Sequence, residues 1–216
     1  LRIGAIPFIP GQMLSAALEG TLPDRQQMTV TIHDGTSRNL MAMLREHALD
    51  FVIGRAAASL DMTGLHQEDL YYQSPRLITN RNLAARLGQR RADWRHLADL
   101  DWILEPAPAP LREQVVDMFL SAGVVPPQPV IESLSAKLPG EVIAARSHVV
   151  SIVPNDIAEE LVRIAGVAVV PWSLQWALSP IALFSLKDRQ QRDVDSRFIL
   201  ALKEYCEKHR SAYSQE

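Results

Sequence analysis

The sequence predicts an α/β fold of two similar lobes, and an internal near-repeat carries that prediction. Residues 1–54 run LRIGAI, a proline-rich turn, MLSAAL, TVTIHDG, TSRNLMAML and DFVIG; residues 101–154 run DWIL, PAPAP, LREQVVDMFL, PVIES, LSAKLPGEVI and HVVSIVP. Each half reads strand, loop, helix, strand, loop, helix, strand. Size agrees: 216 residues, 47% hydrophobic and 22% charged, supply one large core or two small ones. Two such lobes imply a cleft between them, with ligands at the carboxyl ends of the strands, where helix N-termini present free N–H groups.

The elements follow in order. Ile3 to Ile6 read as a strand, and Met13, Leu14, Ala17 and Leu18 recur at helical spacing before Gly20. Met28, Val30 and Ile32 alternate with Thr29, Thr31 and His33, the mark of a half-buried strand. Leu40, Met43 and Leu44 mark a helix beginning at Thr36 or Ser37, and Phe51 to Ile53 form a short, continuously apolar strand. Arg76 to Thr79 lead out of the first lobe. In the second, Leu111, Val115, Met118 and Phe119 form a helix face stopped by Gly123, and Leu138, Val142 and Ala145 form another. Val149 to Val153 close the repeat. Asn155 or Asp156 is the expected cap of a helix carrying Ile157, Leu161 and Ile164, followed by strands at Val167 to Val170 and Ile181 to Leu186. A long closing helix, with expected caps at Asp193 or Asp195, buries a stripe of Ile199, Leu202 and Cys206.

Charge and motif content narrow the function. A net charge of −3 offers no general attraction to nucleic acid. The local cluster Arg86, Arg90, Arg91, Arg95 and His96 around Trp94 reads as a solvated surface, with base stacking as the alternative. No apolar run approaches the roughly 20 residues that span a bilayer, and the first residues lack a signal peptide's pattern. The single cysteine, Cys206, excludes an intrachain disulfide and reads as a core thiol in a reducing compartment. His33, His47, His66, His96, His148 and His209 lack metal-ligand spacing, so no metal is expected. There is no nucleophile elbow, phosphate loop or zinc-protease motif, and Ser135 and Lys137, two apart on a helix, do not face each other. An enzyme is not expected, and no cofactor is implied.

The segments LRIGAIPFIP, IHDGTSRNLMAMLREHALDFVIGR, LITNRNLAARLG, ADLDWIL and VVSIVPNDIAEEL, with a closing Phe-bearing helix, resemble the effector-binding domain of LysR-type transcriptional regulators. Most telling is the pattern G-S/T-x-x-L-x-x-x-L-x-x-x-x-L-D-x-x-I, met by Gly35, Thr36, Leu40, Leu44, Leu49, Asp50 and Ile53. The resemblance spans nearly the whole chain. It implies a fold like that of type 2 periplasmic binding proteins: two Rossmann-like lobes joined by two crossover strands. Lobe I is then residues 1–76 plus 181–212, lobe II residues 77–180, and the hinges lie near Leu77 to Asn80 and Ser179 to Ile181. It also implies a homodimer or higher homo-oligomer and a small organic effector in the inter-lobe cleft, while the lone cysteine and the absence of a signal-peptide pattern or a spanning apolar run lead us to expect a cytoplasmic location without membrane contact. DNA would be bound only through an N-terminal winged helix-turn-helix that these residues do not contain, so the chain reads as a fragment. An exported solute-binding protein of the same fold is the alternative, and a small α/β enzyme the third reading.

Carried over by position, the resemblance puts the ligand against the first-strand loop (Pro7, Phe8, Ile9), the helix start Thr36, Ser37 and Arg38, the PAPAP loop (Pro108, Ala109), and Ser133 and Ser135. Helix starts seat carboxylate or hydroxyl oxygens well. For each hydroxyl, capping without ligand contact is the equal alternative. Arg38 opposes its helix dipole by roughly 0.3–1 kcal/mol, which a bound anion would offset; a solvated arginine is the alternative. Phe8 and Ile9 stand where many members carry Ser or Thr, so two walls are expected to be apolar and a simple dicarboxylate is disfavoured. The nearest-looking subgroup includes regulators of sugar-binding-protein operons, and Phe8 or Trp102 is placed to stack on a sugar face or an aromatic ring.

Overall fold

The computed structural model describes residues 1–22, 28–56, 61–175 and 178–209. Chain order is β1 (Arg2–Ala5), α1 (Gly11–Thr21), β2 (Thr31–Asp34), α2 (Ser37–Arg45), β3 (Phe51–Arg55), β4 (Leu65–Tyr71), β5 (Pro75–Thr79), α3 (Arg81–Gly88) and α4 (Trp94–Ala98). It continues with β6 (Asp101–Leu104), α5 (Pro110–Ser121), β7 (Ile131–Glu132), α6 (Leu138–Ala145), β8 (Val149–Pro154), α7 (Asn155–Ala165), β9 (Ala168–Val169), β10 (Ile181–Leu186) and α8 (Asp193–Lys208). Two compact units result, Leu1–Tyr72 with Ser179–Glu216, and Gln73–Leu178. Positions 210–212, which the sequence reading includes in lobe I, lie outside the described residues.

The repeat is real at the level of topology. The first unit's sheet has the order β2-β1-β3-β10-β4 and the second unit's β7-β6-β8-β5-β9. In each, three parallel strands are followed by a fourth that runs antiparallel to both of its neighbours. The fourth strand of each sheet, β10 or β5, reaches its unit only after the chain has built part of the other.

In the first unit, β3 is buried on both faces because its successive side chains alternate. Phe51 and Ile53 join Ile3, Met13, Leu183, Phe198, Leu202 and Cys206 under α1 and α8. Val52 joins Leu40, Met41, Leu44 and Phe184 under α2. In the second unit Trp102 and Phe119, both fully buried, meet edge-on at 5.4 Å, with Trp94 edge-on to Phe119 at 5.0 Å.

Several expectations need correction. The strand expected from Met28 begins only at Thr31 and is mostly exposed, because β2 is a sheet edge. The face of α6 is Pro139, Gly140 and Ile143, since Gly140 lets α7 approach so closely that a Cβ there would meet Leu161 at 2.8 Å. Neither Asn155 nor Asp156 caps α7, whose N-cap is Pro154. Both are buried: Asn155 accepts from the Ser74 backbone N–H at 3.1 Å, and Asp156 from the Gln73 amide at 2.6 Å. Ile164 is exposed. The cap of α8 is Arg192, with Asp195 closing the box from inside the helix.

Candidate functional site

In each unit the loops at the carboxyl ends of the parallel strands gather the polar groups. In the first unit, the Ile6 N–H donates to the Ile53 carbonyl at 3.1 Å, holding the loop after β1 against the end of β3. Phe8 and Ile9 turn inward, and Ile9 joins the core beside Met13. Pro7 is half-buried. Pro10 precedes α1 and supplies no side-chain cap. Thr36 caps α2, its Oγ1 accepting from the Asn39 N–H at a long 3.4 Å. The Ser37 Oγ accepts from the Arg55 N–H, also at 3.4 Å, so this hydroxyl faces the end of β3. Arg38 is exposed on the first turn of α2.

The second unit repeats the plan. The loop after β6 turns through a cis Ala107–Pro108 peptide, and the Ala109 N–H donates to the Pro106 carbonyl at 3.1 Å. Pro108 is exposed and Ala109 half-buried. Ala109 is the N-cap of α5 and, like Pro10, offers no side-chain oxygen. The Ser133 N–H donates to the Leu104 carbonyl at 3.0 Å, the Ser133 Oγ accepts from the Ser135 N–H at 3.0 Å, and the Ser135 Oγ accepts from the Leu138 N–H at 3.2 Å. Equivalent helices are thus treated alike: α1 and α5 start without a side-chain cap, leaving first-turn N–H groups available, whereas hydroxyls serve α2 and α6.

Two arginines escape the sequence reading. Arg55 is buried at the carboxyl end of β3 and donates to the Ser179 carbonyl. Arg112, in the first turn of α5, places Nη1 3.5 Å from Glu132 Oε1 at the end of β7. That is ion-pair range, yet buried Nη1 has no hydrogen-bond partner among the described residues. The available signal was a cation at the end of an apolar strand, or just inside a helix that starts on proline. Trp102 needs correction as a stacking residue: it is fully buried and its indole N–H donates to the Leu97 carbonyl at 2.7 Å. Among the described residues no three of His, Cys, Asp and Glu group as a metal site. Cys206 is buried, and burial, with the Glu207 charge, pushes its thiol up to about 12.

Residues 1–207 match the family model described as the LysR substrate binding domain. The HTH-type transcriptional regulator GbpR of Azospirillum brasilense is 28% identical over 195 residues, 83% of this chain and 54% of GbpR. PcaQ of Agrobacterium fabrum, also an HTH-type transcriptional regulator, is 27% identical over 191 residues, 88% of this chain and 60% of PcaQ. The chain therefore spans little more than half the length of these relatives. Among solved structures, the effector binding domain of QuiR in complex with shikimate superposes with a TM-score of 0.72 at 17% identity, covering 97% of both chains. A reduced form of OxyR from N. meningitidis gives 0.71 at 14% identity, covering 94% of both. At these identities the likeness shows the fold.

Proposed function

Because this chain belongs to the LysR substrate-binding domain family, we infer that it senses a small organic effector for a cytoplasmic transcriptional regulator. The observation that carries the reading is the matched pair of strand-end loop sets, each with one helix start that makes no side-chain cap hydrogen bond, at α1 and α5, and one whose first-turn N–H donates to a Thr or Ser hydroxyl, at α2 and α6. The effector has one polar or anionic end and a partly apolar or ring-shaped body. Its anchoring end meets the Thr36–Ser37 start, Arg38 or the Ser133–Ser135 turn, with Arg112 adding positive charge beside the PAPAP loop. Pro7, Phe8, Ile9, Pro108 and Ala109 supply the less polar surroundings. QuiR's shikimate, a ring bearing one carboxylate, supports that class. Relatives that are transcription regulators favour sensing over solute transport.

The same reading gives the chain a partner in a second copy of itself and leaves DNA to a helix-turn-helix outside these residues. Thiol chemistry is a poor sensing route here, since one buried thiol held protonated neither reacts readily nor forms an intrachain disulfide. Effector binding alters transcription only by favouring one conformation over another.

Calorimetric titration with a panel of sugar acids, aromatic acids and shikimate tests the reading. At least one member is expected to bind. Thr36→Ala or Ser135→Ala is expected to weaken it by roughly 0.5–2 kcal/mol if the hydroxyl touches ligand. Unchanged affinity in both variants, with lowered melting temperatures, would leave the hydroxyls as caps only.

A further inference from the structure

Arg112 and Glu132 form a charged pair that the packing of the second unit does not account for. Arg112 stands in the first turn of α5, where a cation opposes the helix dipole. Its side chain is only 12% exposed, and among the described residues Glu132 Oε1, at 3.5 Å, is the one charged group it approaches. The buried Nη1 donates no hydrogen bond there. A guanidinium taken out of water with a donor unmet is costly, and neither the helix position nor a well-made ion pair offsets that cost.

Glu132 ends β7, opposite Leu104 at the end of β6, and its side chain is 49% exposed. The pair therefore lies among the second unit's strand-end loops, between the start of α5 and the Ser133–Ser135 turn. Each side chain keeps part of its surface exposed, so a ligand reaches the pair without disturbing α5. The guanidinium only donates hydrogen bonds and the carboxylate only accepts them. A hydroxyl does both: its oxygen accepts from Arg112 while its hydrogen goes to Glu132, and two neighbouring hydroxyls divide the two roles between them. A ligand carboxylate in the same place would meet the charge of Glu132, and a hydrogen or methyl would leave both groups unmet. Resting on the effector-sensing reading above, we propose that Arg112 and Glu132 are specificity-determining residues that read hydroxyl groups of the effector. The effector class is then a hydroxylated carboxylic acid, with hydroxyls on this pair and the carboxylate held elsewhere among the strand-end loops.

The test is calorimetric titration of the 216-residue chain with acids matched in skeleton and differing in hydroxyls: shikimate against cyclohexenecarboxylate, dihydroxybenzoate against benzoate, and gluconate against hexanoate. At least one hydroxylated member is expected to bind about tenfold or more tightly than its hydroxyl-free partner. Glu132→Gln, at a half-exposed position, is expected to weaken that binding by about tenfold and to narrow the gap between the two members, with the melting temperature nearly unchanged. Arg112→Lys, which keeps the charge but loses the planar fork, is expected to narrow the same gap. Hydroxyl-free members that bind equally well or better would overturn the proposal and leave the effector-sensing reading standing. A lowered melting temperature in Glu132→Gln with every affinity unchanged would also overturn it, by assigning the pair to the fold. Failure of every hydroxylated acid to bind would remove the hydroxy-acid class, whichever other effector the strand-end loops prove to hold.

Discussion

Asp50 and Asp195 hold the entry to α8 through three arginines. Asp195 is fully buried; its carboxylate accepts from the Arg192 side chain at 2.8 Å and from the Arg192 backbone N–H at 2.9 Å, and pairs with Arg189 at 2.9 Å. Asp50 accepts from the Arg2 backbone N–H at 2.7 Å and pairs with Arg2 and Arg189. Burial pushes both carboxyls up, but the hydrogen bonds and the arginine charges outweigh it and hold both below the ordinary carboxylate value. The folded state thus binds these protons less readily than the unfolded chain does. Their stabilisation is complete above the unfolded value of about 4 and is lost as pH falls through the lower folded values. Melting temperature is expected to hold near neutrality and to drop below about pH 4. Asp195→Asn is expected to cost about 1.5–3 kcal/mol at pH 7 and to make that acid drop shallower, both read from calorimetric melts. An equally steep drop in the variant would assign the acid sensitivity elsewhere. At Cys206 the thiol stands at about 12, so a disulfide reagent at pH 8 is expected to label the unfolded chain and leave the native protein unmodified. Prompt native labelling would contradict the buried position.

At the scale of elements, helix ends explain much of what the sequence made legible. Gly123 stops α5 in the left-handed region at φ 69°, with the Val124 N–H donating to the Phe119 carbonyl at 3.0 Å. The same hydrogen bond closes α2, where the Ala48 N–H donates to the Met43 carbonyl at 2.9 Å, but there His47 occupies the left-handed position at φ 57°. An exposed histidine has no packing reason to be there, so His47→Gly is expected to raise stability by about 1 kcal/mol in denaturant melts. A loss would mean that the side chain makes a contribution its exposure does not suggest. The buried strands were readable because β3 and β8 are apolar except for Arg55 at the end of one and Ser151 inside the other. β4, Leu65–Tyr71, was not: it is a sheet edge, and His66 and Gln67 are both exposed, which leaves no apolar alternation to find. Asn155 and Asp156 looked like caps because their type favours caps; their partners, Ser74 and Gln73, lie some 80 residues away in sequence. The candidate loops were legible from the repeat, whereas Arg55 and Arg112 depend on pairings with Ser179 and Glu132 that no local pattern encodes.

At the scale of the molecule, the shared topology of the two sheets accounts for the repeat and sets equivalent loops at equivalent strand ends. The family resemblance implies a side-by-side antiparallel dimer, and we propose that the segments from Gln12 to Leu18 and from Met28 to His33 of one copy meet the segment from Ile157 to Ile164 of the other. Ile32 on β2 and Val162 and Ile164 on α7 are 40%, 40% and 48% exposed, apolar surface of the sort a self-complementary interface covers. Sedimentation at micromolar concentration is expected to show dimer, and Val162→Glu is expected to shift it towards monomer. Wild-type protein that stays monomeric would remove this interface. The central claim, that the effector is held by the loops at the carboxyl ends of the parallel strands, is tested most directly by hydrogen–deuterium exchange with a ligand found by calorimetry. Slowed exchange is expected in residues 6–14, 35–40, 106–113 and 133–138; protection confined to other segments, with these loops unchanged, would contradict it.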